Sequence, residues 1–226
     1  DSALRISYFS SLVRSSGVYV TETFGGELQH LTLHDADGDL TVWMLPFLRP
    51  GQVKRALPEE KIASYQDAIA AVLRNADIDF SKRNVLMCHQ FIAGSEVCES
   101  EELSIGTVDQ ISGALFDWFD YVGLGHLHKP QKVLRETLRY AGSPLKYSFS
   151  EVNHKKSVVL VEMREKGDVR VRTVPLHPLH DMRMIEGMLD DLRNLPYSED
   201  YVWVTLHDEL PPPDAKVTLS VNFPNM

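Results

Sequence analysis

Length, composition and charge exclude several classes of protein. The chain has 226 residues, 43% of them apolar, and a formal net charge of −9, so it is long enough to bury a full core and to begin a second domain. No apolar run is long enough to span a bilayer and no signal peptide opens the chain, so we expect a cytoplasmic protein that makes no membrane contact.

The first predicted elements are a helix and a hairpin. Residues 1–14 mix polar and apolar residues as a helix does, and residues 17–21 have strand character. Residues 31–34 and 40–45 flank the segment Asp35-Ala36-Asp37-Gly38-Asp39, which predicts a hairpin turn. The aspartates also resemble a calcium loop, but the spacing and the closing Glu of such a loop are missing, so a plain turn is favoured.

Two helix-to-strand repeats occupy the middle of the chain. Residues 58–74 predict a helix, with a proline and acidic residues in the first turn and an apolar stripe. This helix leads into the apolar run 84–88, and a shorter predicted helix over 106–119 leads into the apolar run 121–124. Strands that alternate with helices predict parallel pairing and an α/β fold.

Three histidines follow these two predicted strands. His89 ends the first apolar run, and His126 and His128 follow the glycine that ends the second. In extended backbone alternate side chains share a face, so His126 and His128 would point the same way with Cα atoms roughly 7 Å apart. Such imidazoles suit the neighbouring ions of two-metal phosphoesterases, which lie about 3.5 to 4 Å apart. The alternative is a pair of hydrogen-bonded structural histidines at a strand end.

The rest of the chain has β character first and then a Pro-rich joint. Strands are predicted at 134–140, 157–163, 169–174, 201–206 and 217–221, and a short helix within 185–195. Residues 174–178 contain two prolines and mark the most plausible domain boundary. His177 and His180 have a His-x-x-His spacing, but ligation is disfavoured in a proline-rich linker.

Charge is unevenly distributed along the chain. Residues 129–172 contain 11 Lys and Arg against five Asp and Glu, whereas residues 95–120 contain seven acidic residues and no basic ones. From residue 178 onward, nine acidic residues face three basic ones. A basic segment beside a metal site can attract a phosphate backbone despite an acidic total. Ordinary solvated strand faces are the alternative explanation.

Several segments together resemble a known family, the calcineurin-like metallophosphoesterases, and within it the SbcD-type nuclease subunit of the SbcCD DNA repair complex. The matching segments are Cys88-His89-Gln90, Gly125 to His128, Tyr140 to Leu145, Ser148 to Glu151, and Asn153 to Ser157. The Gly-Ser-Pro-Leu and His-Lys-Lys-Ser pieces are specific to the subfamily. The resemblance extends over nearly the whole chain.

This resemblance implies a fold and a division into domains. The fold would be α/β (α+β), a β-sandwich flanked by helices of the metallophosphoesterase type, here without its N-terminal part. Residues 1–176 would form the C-terminal portion of the nuclease domain. Residues 177–226 would form part of a small α+β capping domain.

The resemblance also implies a metal site. His89 and His126 would bind one ion and His128 the other, with two Mn²⁺ (or Mg²⁺) ions in a complete site. Asp1 matches the last letter of the family's Gly-Asn-His-Asp motif and would orient the catalytic histidine that precedes it there. That histidine and the family's Asp-x-His and Gly-Asp motifs would lie before residue 1, so we expect the chain alone to bind metal weakly and to cleave little or nothing.

The implied activity is that of a DNA nuclease, both double-strand exonuclease and single-strand endonuclease, in DNA repair, recombination and replication. Its partners would be DNA and an SbcC-type, SMC-like ATPase, with a homodimer inside a heterotetramer. Lys129, Lys146, Lys155 and Lys156 are candidate DNA contacts. Two alternatives remain open: another metallophosphoesterase acting on a nucleotide or phosphoprotein, and a non-catalytic docking module for the ATPase.

Overall fold

A computed structural model describes residues 10, 12–21, 23–102 and 110–226 of the chain. Residues 12–14 are helical, and most of the helix predicted over 1–14 lies outside the described residues. Residues 17–21 are irregular, so the strand predicted there is wrong. No strand among the described residues pairs with this segment, and the amide of Val18 bonds back to the carbonyl of Val13 at 3.3 Å.

The described elements are mostly strands. The strands are β1 (Gln29–Asp35), β2 (Gly38–Leu45), β3 (Arg83–His89), β4 (Phe91–Ile92), β5 (Gln110–Ile111), β6 (Tyr121–Gly125), β7 (Gln131–Val133), β8 (Arg135–Tyr140), β9 (Ser157–Met163), β10 (Val169–Pro175), β11 (Met182–Gly187) and β12 (Tyr201–Leu206). The α-helices are α1 (Pro50–Ala56), α2 (Tyr65–Asn75), α3 (Glu99–Glu102), α4 (Leu189–Leu192) and α5 (Ala215–Ser220), and 3₁₀ turns lie at Gly113–Phe116 and Phe149–Glu151.

A mixed six-stranded sheet in the order β1-β2-β3-β6-β8-β7 forms the centre of the fold. Strands β2, β3, β6 and β8 pair in parallel, and β1 and β7 are antiparallel at the two edges. The predicted parallel strands and the α/β class are therefore confirmed. The β1–β2 hairpin is also confirmed, with Gly38 at φ 100° in its turn. Asp35 in that turn accepts hydrogen bonds from the Arg83 guanidinium at 3.0 and 2.6 Å.

The two faces of the sheet have different neighbours because side chains alternate along each strand. One face of the sheet carries the side chains of Trp43, Leu86, Val122 and Leu138. They belong to a buried core that also contains helix residues: Val53 of α1 and Ala68, Ile69 and Val72 of α2. Val42, Met87 and Gly123 have the opposite parity and line a cleft of about 1060 Å³. The antiparallel hairpin β9–β10 contributes Val159 and Val161 to the other wall of that cleft. The sheet therefore lies between helices on one side and a second β layer on the other.

The helical segment after β2 differs from the prediction. One helix over 58–74 was expected, but the structure contains α1 at Pro50–Ala56 and α2 at Tyr65–Asn75. Ser64 begins α2 because its side chain accepts the amide of Asp67 at 3.1 Å, and the Asp67 carboxylate accepts the amide of Ser64 at 3.0 Å. This capping box fixes the start of the helix. The proline and acidic residues near 58–60 lie in turns instead.

The helix predicted over 106–119 is only a 3₁₀ turn in the part that the structure describes. Residues 103–109 lie outside the described residues. Ser112 caps the turn Gly113–Phe116 through a hydrogen bond from the amide of Ala114 at 3.3 Å. Phe116 is fully buried in the core beneath the sheet. The segment thus connects two strands with a short turn rather than with a regular helix.

The C-terminal part has a small core of its own. Strands β11 and β12 pair in parallel, and Leu192, Val202, Leu219 and Phe223 form a second buried cluster. The strand predicted over 201–206 is confirmed.

One further C-terminal prediction is confirmed and one is wrong. The segment 185–195 contains the predicted short helix, α4 at Leu189–Leu192, and the residues before it, 185–187, belong to β11 and pair with β12. Residues 217–220 are helical, not a strand, and this conformation buries both Leu219 and Phe223, whose amide donates to the carbonyl of Leu219 just after the helix ends. Val217 and Val221, whose type favours strands, are 67% and 71% exposed. None of the helices that the structure describes combines the length and the apolar composition needed to cross a bilayer.

Candidate metal centre

Three neighbouring parallel strands bring aromatic rings to one edge of the sheet. In the register of β3 and β6, His89 lies opposite Gly125, the residue before His126. Phe47 follows the end of β2, whose Leu45 lies opposite Cys88. The carboxyl ends of parallel strands meet at one edge, which is where open α/β sheets bind ligands. Two of the three predicted metal ligands therefore lie side by side.

The nearest nitrogens of His89 and His126 have the separation expected of two ligands to one ion. Nδ1 of His126 lies 3.3 Å from Nε2 of His89, longer than a typical N–H hydrogen bond of about 3.0 Å. When two imidazole nitrogens each lie about 2.1 Å from the same ion, they are about 3.0 Å apart if the angle at the ion is a right angle and about 3.4 Å apart if it is tetrahedral. The pair thus fits a shared divalent ion.

Glycine and a strained backbone allow the two rings to approach. A Cβ added to Gly125 would lie 2.8 Å from Nδ1 of His89, so a larger residue would displace that ring. His126 has φ 105°, an uncommon value for a residue with a side chain. The extended backbone expected through His126 and His128 is therefore wrong: β6 ends at Gly125, and the chain turns at His126.

Phenylalanine rings surround the histidine pair. The ring of Phe47 stacks on His126 with centroids 6.3 Å apart and makes an edge-to-face contact with His89 at 6.4 Å. Phe91 also packs near His126, with centroids 6.1 Å apart. Burial lowers the pKa of His89, and the neighbouring His126 lowers it further. A neutral imidazole is the form that binds a metal ion, so this apolar environment favours ligation.

His128 is held by a separate set of contacts. Its Nδ1 lies 2.8 Å from Oε1 of Glu151, a residue that is fully buried. Lys156 donates to Oε2 of Glu151 at 2.7 Å and to the backbone carbonyl of His128 at 2.9 Å. Burial opposes ionisation of Glu151, but the hydrogen bonds from Lys156 and His128 outweigh it and hold the pKa of this carboxyl below its usual value. The His128 ring, 36% exposed, is thus anchored on one edge and accessible on the other.

Glu101 anchors the backbone beside this ring. Its carboxylate accepts the amide of His128 through one oxygen and the amide of Cys98 through the other, the latter at 2.9 Å. The described ranges contain one group of three side chains that could together bind a metal ion: Cys98, Glu101 and His128. His89 and His126 therefore form a pair of possible ligands, not a group of three, in the described part of the chain.

The four lysines predicted to contact DNA have different environments. Lys155 is exposed, and Lys129, half exposed, pairs with Glu96. Lys156 is buried, and its amine donates to Ser143, Glu151 and the carbonyl of His128. Lys146 is 11% exposed and pairs with Asp181 at 2.8 Å. The amines of Lys156 and Lys146 thus bind protein oxygens, whereas Lys155 and Lys129 are more accessible, and DNA contact by these lysines stays a prediction.

Three further residues were weighed from the sequence: Asp1, His177 and His180. Asp1, expected to orient a catalytic histidine, lies outside the described residues. His177 is exposed, and Nδ1 of His180 lies 3.8 Å from a carboxylate oxygen of Glu199. Neither joins a group of three possible ligands in the part of the chain that the structure describes.

Sequence reasoning did not single out Phe47, Glu101 or Glu151 as part of the site. Phe47 was detectable in principle, because it follows the carboxyl end of a predicted strand. Glu151 lies in one of the segments that carry the family resemblance, but nothing in its spacing indicated that it is buried against His128. Glu101 is 27 positions from His128, and no local pattern predicts such a contact.

Comparison with known proteins shows what the chain is similar to. No protein-family model matches the chain. The chain is similar to the SbcD subunit of nuclease SbcCD from Staphylococcus epidermidis, with 32% identity over 195 residues that cover 85% of this chain and 51% of that protein. It is also similar to the SbcD subunit of nuclease SbcCD from Staphylococcus saprophyticus, with 29% identity over 232 aligned positions that cover 100% of this chain and 60% of that protein. The chain thus spans only about half to three fifths of these relatives, and over that span it belongs to the SbcD-type family of nuclease subunits.

Proposed function

We propose that this chain forms part of a metal-dependent phosphodiesterase centre that acts on DNA, with His89 and His126 binding one divalent ion. The 3.3 Å separation of their facing nitrogens, at the carboxyl edge of a parallel sheet, is the observation that supports this assignment. Relatives named as nuclease subunits support the reaction class. Family resemblance alone supports the metallophosphoesterase type of the fold.

His128 would bind a second ion through the ring edge that Glu151 does not engage. Two ions, Mn²⁺ or Mg²⁺, would bind the scissile phosphate, lower the pKa of a coordinated water and neutralise charge on the leaving oxygen. The chain's own residues hold the ligand nitrogens in place: Gly125 leaves room for His89, and Phe47 and Phe91 pack against the ring of His126.

Additional ligands must complete this centre. Among the described residues, His89 and His126 do not join a group of three possible ligands, and two imidazoles alone hold a divalent ion weakly. The chain covers 51% and 60% of the two relatives compared above, so a protein of their length would have room for further ligands. We infer that the 226-residue chain alone binds manganese weakly and cleaves little DNA.

The domain division and the partners belong to the same proposal. Residues 1–176 would carry the nuclease centre, and residues 177–226, which have their own buried cluster, would form part of a capping domain. The relatives are named as the SbcD component of an SbcCD nuclease, which supports an SbcC-type ATPase as partner. In that assembly the chain would form a homodimer within a heterotetramer. The complex would lie in the cytoplasm and act in DNA repair.

Manganese affinity and metal content test the proposal. The 226-residue chain and the complete natural protein would each be compared with His89→Ala and His126→Ala variants. His177→Ala, an exposed histidine in the linker, is the matched control. We expect tight binding of two ions and DNA cleavage only in the complete protein, with the ion at His89 and His126 lost in either site variant and retained in the control.

Other outcomes would favour the alternatives. Cleavage of a chromogenic phosphodiester without cleavage of DNA would indicate a different phosphoesterase. Unchanged metal content in His89→Ala and His126→Ala would contradict the metal centre and favour a docking module for the ATPase.

A further inference from the structure

Glu151 is a buried carboxylate that the proposed reaction does not require as a ligand. Its side chain is 0% exposed, and burying a charged group is costly unless partners compensate for it. Its two oxygens face different partners: Oε1 lies 2.8 Å from Nδ1 of His128, and Oε2 lies 2.7 Å from Nζ of Lys156. The 3₁₀ turn Phe149–Glu151, capped by the hydroxyl of Ser148, holds this side chain in position.

Lys156 fixes the charge state of this carboxylate and the position of its neighbours. Its amine donates to Glu151, to Ser143 at 2.8 Å and to the carbonyl of His128 at 2.9 Å, so all three of its hydrogens have acceptors. The amide of Ser143 donates to the same His128 carbonyl at 3.1 Å. A Cβ on Gly142, which has φ 77°, would lie 2.7 Å from that carbonyl oxygen, so this close turn requires glycine.

An ionised carboxylate accepts hydrogen bonds and donates none. The proton between Oε1 of Glu151 and the His128 ring must therefore be on Nδ1, which leaves Nε2 without a proton when the ring is neutral. A carboxylate that binds the second nitrogen of a metal-ligating histidine fixes its tautomer and its orientation.

We propose that Glu151, held by Lys156 and Ser143, is a positioning residue that keeps His128 in its Nδ1-protonated form and directs Nε2 toward a metal ion. This inference rests on the proposed function for the ion, whereas the tautomer itself follows from the contacts of the chain. It adds to the centre a buried Glu–Lys pair that touches neither the ion nor the substrate.

Nuclear magnetic resonance of the metal-free chain tests the tautomer directly. Long-range ¹H–¹⁵N spectra at pH 8, where an ordinary imidazole is neutral, distinguish Nδ1–H from Nε2–H rings, and a His128→Ala variant assigns the signal. We expect Nδ1–H in the unmodified chain and a shift of population toward Nε2–H in Glu151→Gln. An Nε2–H ring in the unmodified chain would overturn the proposal without any variant.

Manganese titration of the complete natural protein provides the second readout. Glu151→Gln should weaken the ion at His128 by roughly 10- to 100-fold, as observed when such outer partners are removed, and leave the ion at His89 and His126 unchanged. Glu162→Gln, the same change at an exposed position of β9, is the matched control.

The two proposals fail in different ways. If the complete protein binds no manganese but His128 is Nδ1-protonated and responds to Glu151→Gln, the proposed function fails and the positioning of the ring stands. If manganese binds but neither the tautomer nor the affinity responds to Glu151→Gln, the positioning role is wrong.

Discussion

Nδ1 of His126 and Nε2 of His89 are 3.3 Å apart although 37 positions separate the two residues in the chain. Parallel pairing of β3 with β6 creates this contact, because it places His89 opposite Gly125. The contact also depends on a residue without a side chain at position 125 and on a left-handed turn at His126. The geometry of the pair is therefore a property of the sheet edge as a whole.

Substitution of Gly125 by alanine should weaken metal binding without unfolding the protein. The new Cβ would meet Nδ1 of His89 at 2.8 Å, and that ring would have to move. Manganese affinity should fall at least tenfold, because a ligand displaced by about 1 Å no longer fits the ion. Gly25→Ala is the control, since no atom lies within 4 Å of a Cβ at that position. Equal affinities in the two variants would show that His89 does not bind the ion.

The sheet around this site was predictable because its strands carry strong local signals. The runs that became β3 and β6 are apolar, as the inner strands of a parallel sheet are, and they end in histidine and glycine respectively. Histidines at the ends of two predicted strands indicated a shared site, and the family resemblance assigned His89 and His126 to the same ion.

The contacts of His128 were not predictable, because they join residues far apart in the chain. Glu151 and Glu101 lie 23 and 27 positions from His128, and no period or motif links them. Distant packing also explains why the strand predicted at 217–221 is the helix α5. Burial of Leu219 and Phe223 favours the helix there, although valine and threonine prefer strands. Tertiary packing overrode local preference at these positions.

Removal of the lysine that binds Glu151 should destabilise the protein strongly. Lys156→Met would leave the buried carboxylate without its cation, and breaking a buried ion pair in this way typically costs about 3 to 5 kcal/mol. Lys155→Met, at the exposed neighbouring position, should change the free energy of unfolding by less than about 0.5 kcal/mol. Urea unfolding of both variants measures the difference, and similar midpoints would contradict a structural role for the buried pair.

The contribution of Glu151 to stability should depend on pH in a defined direction. Burial opposes its ionisation, but Lys156 and His128 lower its pKa in the folded state below the ordinary value of about 4.3. Its contribution is therefore fully present above about pH 4.3 and is lost as the pH falls through the lower folded value. The gap in unfolding free energy between the unmodified chain and Glu151→Gln should narrow between about pH 5 and pH 3 in metal-free buffer. A gap that stays constant over this range would show that folding does not lower the pKa of this carboxyl.

Trp203 should stabilise the His128 environment from the C-terminal part of the chain. Its ring packs against Phe149 with centroids 5.5 Å apart, and Phe149 begins the 3₁₀ turn that ends in Glu151. Aromatic pairs contribute about 0.5 to 1.5 kcal/mol beyond their buried area, so Trp203→Ala should raise local opening of this turn roughly two- to tenfold. Hydrogen exchange at the amide of His154, which donates to the carbonyl of Glu151 at 2.8 Å, reports that opening.

The control for Trp203 is a second exposed tryptophan that does not contact the turn. Trp118 is 73% exposed and packs near Phe80, so Trp118→Ala should leave exchange at His154 unchanged. Faster exchange in Trp203→Ala alone, accompanied by weaker manganese binding at His128 in the complete protein, would mean that the C-terminal part supports the metal ligand through Phe149 and Glu151. Unchanged exchange in both variants would show that the turn is held by Lys156 and Ser148 without help from β12.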